Sequence, residues 1–193
     1  MASARTILVF GDSLSAAYGI RPEEGWVTLL GQRLQSEGYG YQIVNASVSG
    51  ETSGGGVERL PRALQLHQPA LVILELGAND ALRGLPLAAT QDNLAAMVRL
   101  SQSAGARVLL IGLKIPPNYG PRYTEQFASM FPTVANQYHL PLVPFLLEKV
   151  ALDPQRMQAD GLHPNVQGQL PILETVWTYL KPLLKKNTRP GES

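Results

Sequence analysis

The amino-acid sequence predicts a three-layer α/β/α sandwich on a five-stranded parallel sheet. Short, continuous apolar runs recur along the chain, and longer stretches with helical spacing separate them. Strand–helix alternation of this kind favours a parallel sheet with helices on both faces, joined by right-handed crossovers. A third observation agrees. The residues able to do chemistry follow the apolar runs, and open α/β sheets bind ligands outside the carboxyl ends of their strands, near a topological switch point.

The runs are Thr6–Phe10, Tyr41–Val44, Leu71–Leu76, Val108–Leu113 and Leu142–Phe145. They are rich in Val, Ile and Leu, as strands buried on both faces should be. Between the first two, Trp26, Leu29, Leu30 and Leu34 mark one face of a helix, with Gly38 as its stop. Pro61 obscures the bounds of the helical stretch that ends near His67. Leu87, Thr90, Leu94, Met97 and Val98 mark a further helix, opened by Pro86 and followed by Gly105. Pro121–Tyr138 also reads as helical, and Pro132 is expected to start a new turn or to kink it. Leu170, Leu173, Trp177, Leu180 and Leu184 mark the last helix, whose start Pro171 blurs. No repeat, low-complexity segment or linker interrupts the pattern. Residues 1–193 are therefore expected to form a single domain with its core between about 6 and 184.

Composition excludes several function classes. Sixteen basic residues against fifteen acidic ones give a formal charge of +1, and no basic stripe interleaved with aromatics suits nucleic acid. The basic cluster from Lys181 to Arg189 is expected to be a solvated end. The absence of cysteine rules out disulfides, thiolate chemistry and Cys-ligated zinc. No run approaches the roughly 18 apolar residues that span a bilayer. Met1–Arg5 runs straight into the first strand and leaves no room for a leader, so either the protein is cytoplasmic or a leader has been replaced by an initiator Met.

Gly11-Asp12-Ser13-Leu14 directly follows the first run. A serine there stands on the rim of the sheet, and Gly11 permits a tight turn. In isolation the segment is equally a turn in which Asp12 or Ser13 caps the next element. A hydroxyl becomes a nucleophile only when a base takes its proton. The chain has three histidines. His67 closes a helical stretch, and His139 sits in a connection with no acid at useful spacing. His163 differs, because Asp160 precedes it by three residues in Asp160-Gly161-Leu162-His163-Pro164. Pro164 keeps His163 out of helical dihedrals, so the segment is a turn in which acid and base can meet. The carboxylate can then fix the imidazole tautomer and leave the other ring nitrogen for the serine.

Acyl transfer also needs donors where oxyanion charge develops. Ser49-Gly50-Glu51-Thr52 follows the second run and Gly77-Ala78-Asn79-Asp80 the third, offering the Gly50 N–H and the Asn79 amide on the same rim. Alone, Gly50 could be a turn glycine and Asn79 a cap. Glu75, in an otherwise apolar run, is expected to anchor neighbouring backbone.

In combination and in this chain order, the four motifs resemble those of the SGNH (GDSL-type) esterases and lipases, from about Thr6 to Leu184. Pro116-Pro117-Asn118-Tyr119-Gly120-Pro121-Arg122-Tyr123 is similar to the small bacterial branch of multifunctional thioesterases, lysophospholipases and arylesterases. The resemblance implies a flavodoxin-like strand order and no cofactor. It implies Ser13 as nucleophile, His163 as base and Asp160 as its orienting acid. The oxyanion hole would comprise the Ser13 and Gly50 N–H groups and the Asn79 side chain. It implies a periplasmic protein whose leader is absent from this chain. The loop from Ile115 to Tyr123 is expected to flank the acyl pocket, with Pro116 and Tyr119 touching substrate, unless it merely ends a strand. The expected partner is a small acyl ester or thioester, met by a monomer without nucleic acid or an integral membrane segment. No His or carboxylate cluster has metal-ligand spacing. Two alternatives stand beside this expectation. One is a carbohydrate deacetylase on the same scaffold, disfavoured by few aromatics for sugar stacking. The other is a non-catalytic module binding a small ligand at the same rim.

Overall fold

Strand β1 (Arg5–Gly11) lies inside the sheet, between β2 (Tyr41–Asn45) and β3 (Leu71–Glu75). β4 (Arg107–Ile111) and β5 (Leu142–Val143) extend the sheet beyond β3, giving the order β2-β1-β3-β4-β5 with every pair parallel. The computed structural model describes residues 5–186. The first four residues and the part of the basic cluster that holds Arg189 lie outside the described residues.

The helices are α1 (Trp26–Ser36), α2 (Ser53–His67), α3 (Ala78–Leu82), α4 (Leu87–Ser103), α5 (Pro121–Gln137) and α6 (Val166–Leu180). α1 packs on α6, while α4 packs on both α2 and α5, so the helices form separate layers. Ile7, Leu8, Val9 and Phe10 of β1 and Val72, Ile73 and Leu74 of β3 have no exposed surface. Alternation of side chains across a strand means that both faces of β1 and β3 are covered. The chain leaves β1 towards β2 and later returns to β3 on the other side of β1, which makes the β1/β3 crevice the switch point.

The predicted strands are correct in number, order along the chain and parallel pairing, with ends that shift. β5 stops at Val143 because Pro144 has no N–H to offer a ladder. β4 stops at Ile111, and the Gly112 N–H goes to the Val143 carbonyl at 2.7 Å. Two helices differ from expectation. Pro132 lies inside an uninterrupted α5, whose buried Phe127, Met130, Phe131 and Val134 hold the flanking turns to the core. α6 ends at Leu180, before a 3-10 turn over Lys181–Leu183, and its buried face is Ile172, Leu173, Val176, Trp177 and Leu180, with Leu170 exposed.

Candidate active site

Ser13 sits in the turn that leaves β1. The amides around it are all engaged. Asp12 N–H donates to Glu75 Oε2 at 3.3 Å, Leu14 N–H to Asp12 Oδ1 at 3.0 Å, and Ser15 N–H to the Asp12 carbonyl at 3.2 Å. Ser13 N–H is the exception: among the described residues it has no protein acceptor. The turn is held from outside by Trp26 Nε1, which donates to the Leu14 carbonyl at 3.1 Å, and by Asn45 Nδ2, which donates to Ser15 O at 2.9 Å.

The imidazole that faces Ser13 comes from the loop before α6, 150 residues later. His163 Nε2 lies 2.9 Å from Ser13 Oγ, and its Nδ1 lies 2.6 Å from Asp160 Oδ2. Asp160 Oδ1 accepts the N–H groups of Leu162 (2.9 Å) and His163 (3.0 Å), so one carboxylate both closes the turn and faces the ring. Gly161 makes this possible with φ +67°, a conformation open to glycine. The slight burial of Asp160 would raise its pKa, but the hydrogen bonds from His163 and Leu162 outweigh it and bring the carboxyl down to about 2. It is therefore an anion at neutral pH, which places the imidazole proton on Nδ1 and leaves Nε2 to accept from the serine.

The loop is clamped as well as turned. Met157 and Pro164 form an antiparallel bridge, and Gln158 N–H donates to the His163 carbonyl at 2.7 Å. Gln158 Nε2 reaches across to the Tyr18 carbonyl at 2.8 Å, and the Tyr18 ring lies 4.4 Å from the His163 ring. Tyr18 and Gln158 were invisible in the sequence, since neither belongs to a motif.

Gly50 follows β2 at φ +81°, the third residue of a turn closed by Glu51 N–H to Val48 O at 3.1 Å. Its own N–H has no protein acceptor among the described residues, and Arg83 Nη2 holds its carbonyl at 2.8 Å. Asn79, in α3, donates from Nδ2 to Asp12 Oδ2 (3.1 Å) and to Glu51 O (3.0 Å). A substrate oxygen would share these two protons with acceptors already present. α3 is itself tied down: Ser53 N–H donates to Asp80 Oδ2 at 2.8 Å, and Tyr123 Oη to Ala81 O at 2.9 Å.

Ser13, Asn79 and His163 line a cavity of about 90 Å³, walled by Leu82 and Pro116. Leu147, Leu162, Ile115 and Pro116 also line a neighbouring cavity of about 470 Å³, together with Phe145 and Met157. Pro116 thus stands where the two cavities meet. Tyr119 lines neither. Its hydroxyl points to the Leu82 carbonyl at 3.4 Å and its ring stacks on Tyr123 at 6.2 Å, so it braces α3. His67 ends α2, and His139 lines a separate cleft with Gln102 and Arg107 at the start of β4.

The sequence model of the GDSL-like Lipase/Acylhydrolase family matches residues 9–170. The chain belongs to this family. Esterase TesA of Pseudomonas aeruginosa is 54% identical over 183 residues, covering 95% of this chain and 91% of its own. Thioesterase 1/protease 1/lysophospholipase L1 of Escherichia coli K12 is 42% identical over 187 residues, covering 97% of this chain and 88% of its own. A crystal structure of TesA superposes with a TM-score of 0.91 at 53% identity, over 93% of this chain and all of that one. The α/β fold derived above is thus the fold of the family. Among the described residues, no helix is long and apolar enough to cross a membrane.

Proposed function

We propose that the protein hydrolyses carboxylic esters and acyl thioesters through an acyl-serine intermediate. The observation that carries this is the unbroken line Asp160–His163–Ser13, at 2.6 and 2.9 Å, ending beside a largely apolar pair of cavities. Ser13 Oγ attacks the carbonyl carbon as His163 Nε2 takes its proton. The unpaired N–H groups of Ser13 and Gly50 and the Asn79 amide receive the charge on the former carbonyl oxygen. His163 then gives the proton to the departing alcohol or thiol. Water, deprotonated by the same nitrogen, releases the acid and frees Ser13. The acyl chain runs past Pro116 and Leu162 into the larger cavity, while Tyr119 acts through α3. The similarity to an esterase and to a thioesterase/lysophospholipase supports both leaving groups. We further place the enzyme in the periplasm as a monomer; cell fractionation and light scattering test these two points.

A series of chromogenic acyl esters, from short to long chains, tests the reaction. Hydrolysis that disappears in Ser13→Ala is the expected result. A folded protein inert towards every ester and thioester would instead mark a binding module.

A further inference from the structure

Beneath Ser13 lies a second pair of acids that the mechanism above does not use. Asp12 is 1% exposed and Glu75 is fully buried; the Asp12 N–H joins them at the β1/β3 crevice, and each carboxyl lies close enough to act on the other. Glu75 Oε2 accepts from Asp12 N–H at 3.3 Å and from Ser15 Oγ at 2.7 Å. Asp12 accepts Leu14 N–H on one oxygen and the Asn79 amide on the other. Glu75 Oε1 is buried and, among the described residues, has no donor. As a carboxylate oxygen it would be an orphan; as a carboxylic acid it is itself a donor, and Asp12 is beside it.

We propose that Glu75 keeps its proton in the working enzyme and shares it with Asp12, and that this one-proton pair positions the Ser13 turn and the Asn79 amide. Two carboxylates so close in a water-excluded site cannot both ionise without a cation. The other groups acting on the pair are Asp80 from α3, His163 from the last loop and the Ser15 hydroxyl; Lys114 lines the cavity that Asp12 reaches, but among the described residues neither acid forms an ion pair with Lys or Arg. Burial, followed by the charge of Asp12, pushes Glu75 well above the usual carboxyl range. Burial also raises Asp12, but the Leu14 and Glu75 hydrogen bonds limit it to about 6. Both Asp12 oxygens already accept hydrogen bonds whereas Glu75 Oε1 has none to accept among the described residues, so the proton is assigned to Glu75. Through it, Asp12 is fixed as the acceptor that aims Asn79, and Glu75 Oε2 grips the turn on both sides of Ser13.

The catalytic consequence rests on Asn79 belonging to the oxyanion hole, whereas the location of the proton does not. Carbon-13 NMR of protein labelled at glutamate carboxyl carbons, with Glu75 assigned by Glu75→Gln, reads the proton directly. Glu75 should keep the shift of a carboxylic acid from about pH 5 to about pH 8, far above the ordinary range. A carboxylate shift across that span overturns the proposal. Kinetics test the positioning. Glu75→Leu should lower kcat roughly 10- to 100-fold with KM little changed, as a slightly misplaced group does. Glu75→Gln, whose amide still donates to Asp12 and accepts from Ser15, should recover most of the loss. Equal losses in the two variants would overturn the positioning role. Asn79→Ala with undiminished turnover would remove the hole, and with it the purpose of the pair, while the NMR result would stand.

Discussion

At the scale of single residues, Asp160 carries two tasks with one carboxylate. Its Oδ2 faces the imidazole and its Oδ1 ties the backbone of the turn that presents that imidazole. Asp160→Asn keeps the size of the side chain but can donate to Nδ1, which favours the wrong tautomer. We expect a loss between about 100-fold and about 10,000-fold in kcat, short of the upper figure because this carboxylate is partly exposed, measured with the preferred ester. Its pKa also makes a stability statement. The folded carboxyl ionises near 2 and the unfolded one near 3.9, so its contribution is present above that upper value and is lost as pH falls through about 2. Thermal midpoints of the native protein and of Asp160→Asn should converge over that window; a constant gap means that the hydrogen bonds contribute nothing linked to ionisation. As the proposed oxyanion donor, Asn79 offers a simpler case. Loss of an oxyanion donor costs about 2.7–4 kcal/mol, so Asn79→Ala should slow turnover by roughly 100- to 1000-fold.

At the scale of elements, the site is assembled by three strand ends and one loop, and its tolerances are set by backbone contact. Gly112, just past β4, shows this. A Cβ there would overlap the carbonyl oxygens of Val143 and Pro144, which belong to the neighbouring strand end and cannot rotate away. Gly112→Ala should destabilise the protein by about 1–3 kcal/mol, the range for forced overpacking, as read by urea denaturation. The proposed site residues of this layer stood out in the sequence because each sits in a short motif after an apolar run. β1 and β3 announced themselves by continuous Val, Ile and Leu. α2 did not, since Gly54, Gly55, Gly56 and Pro61 disrupt its apolar period, although Gly56 is needed where a side chain would strike Leu76 and Met97. α3 is five residues long, too short to display any period. The orientation of Tyr119 was illegible for a different reason. Its place in a loop after β4 is visible in the sequence, but the direction of its ring follows from a bond to Leu82 that only the folded chain reveals.

At the scale of the whole molecule, a buried acid that holds its proton ties stability to pH. The folded state keeps a proton on Glu75 that the unfolded chain releases near 4.3, so this residue costs stability progressively as pH rises above that value. Glu75→Gln should therefore gain on the native protein between about pH 5 and about pH 8 in denaturation midpoint. A difference that stays constant means that Glu75 titrates alike in both states.

The 150-residue interval between Ser13 and His163 bears on how the chain is made. The serine leaves the ribosome 150 residues before the histidine that faces it, and α6 follows that histidine. Over that interval of synthesis the Ser13 hydroxyl lacks the imidazole that faces it in the folded chain. The bridge from Met157 to Pro164 and the bond from Gln158 to the Tyr18 carbonyl close only once both ends have met. Hydrolysis is thus a report that the first strand and the last loop have found each other.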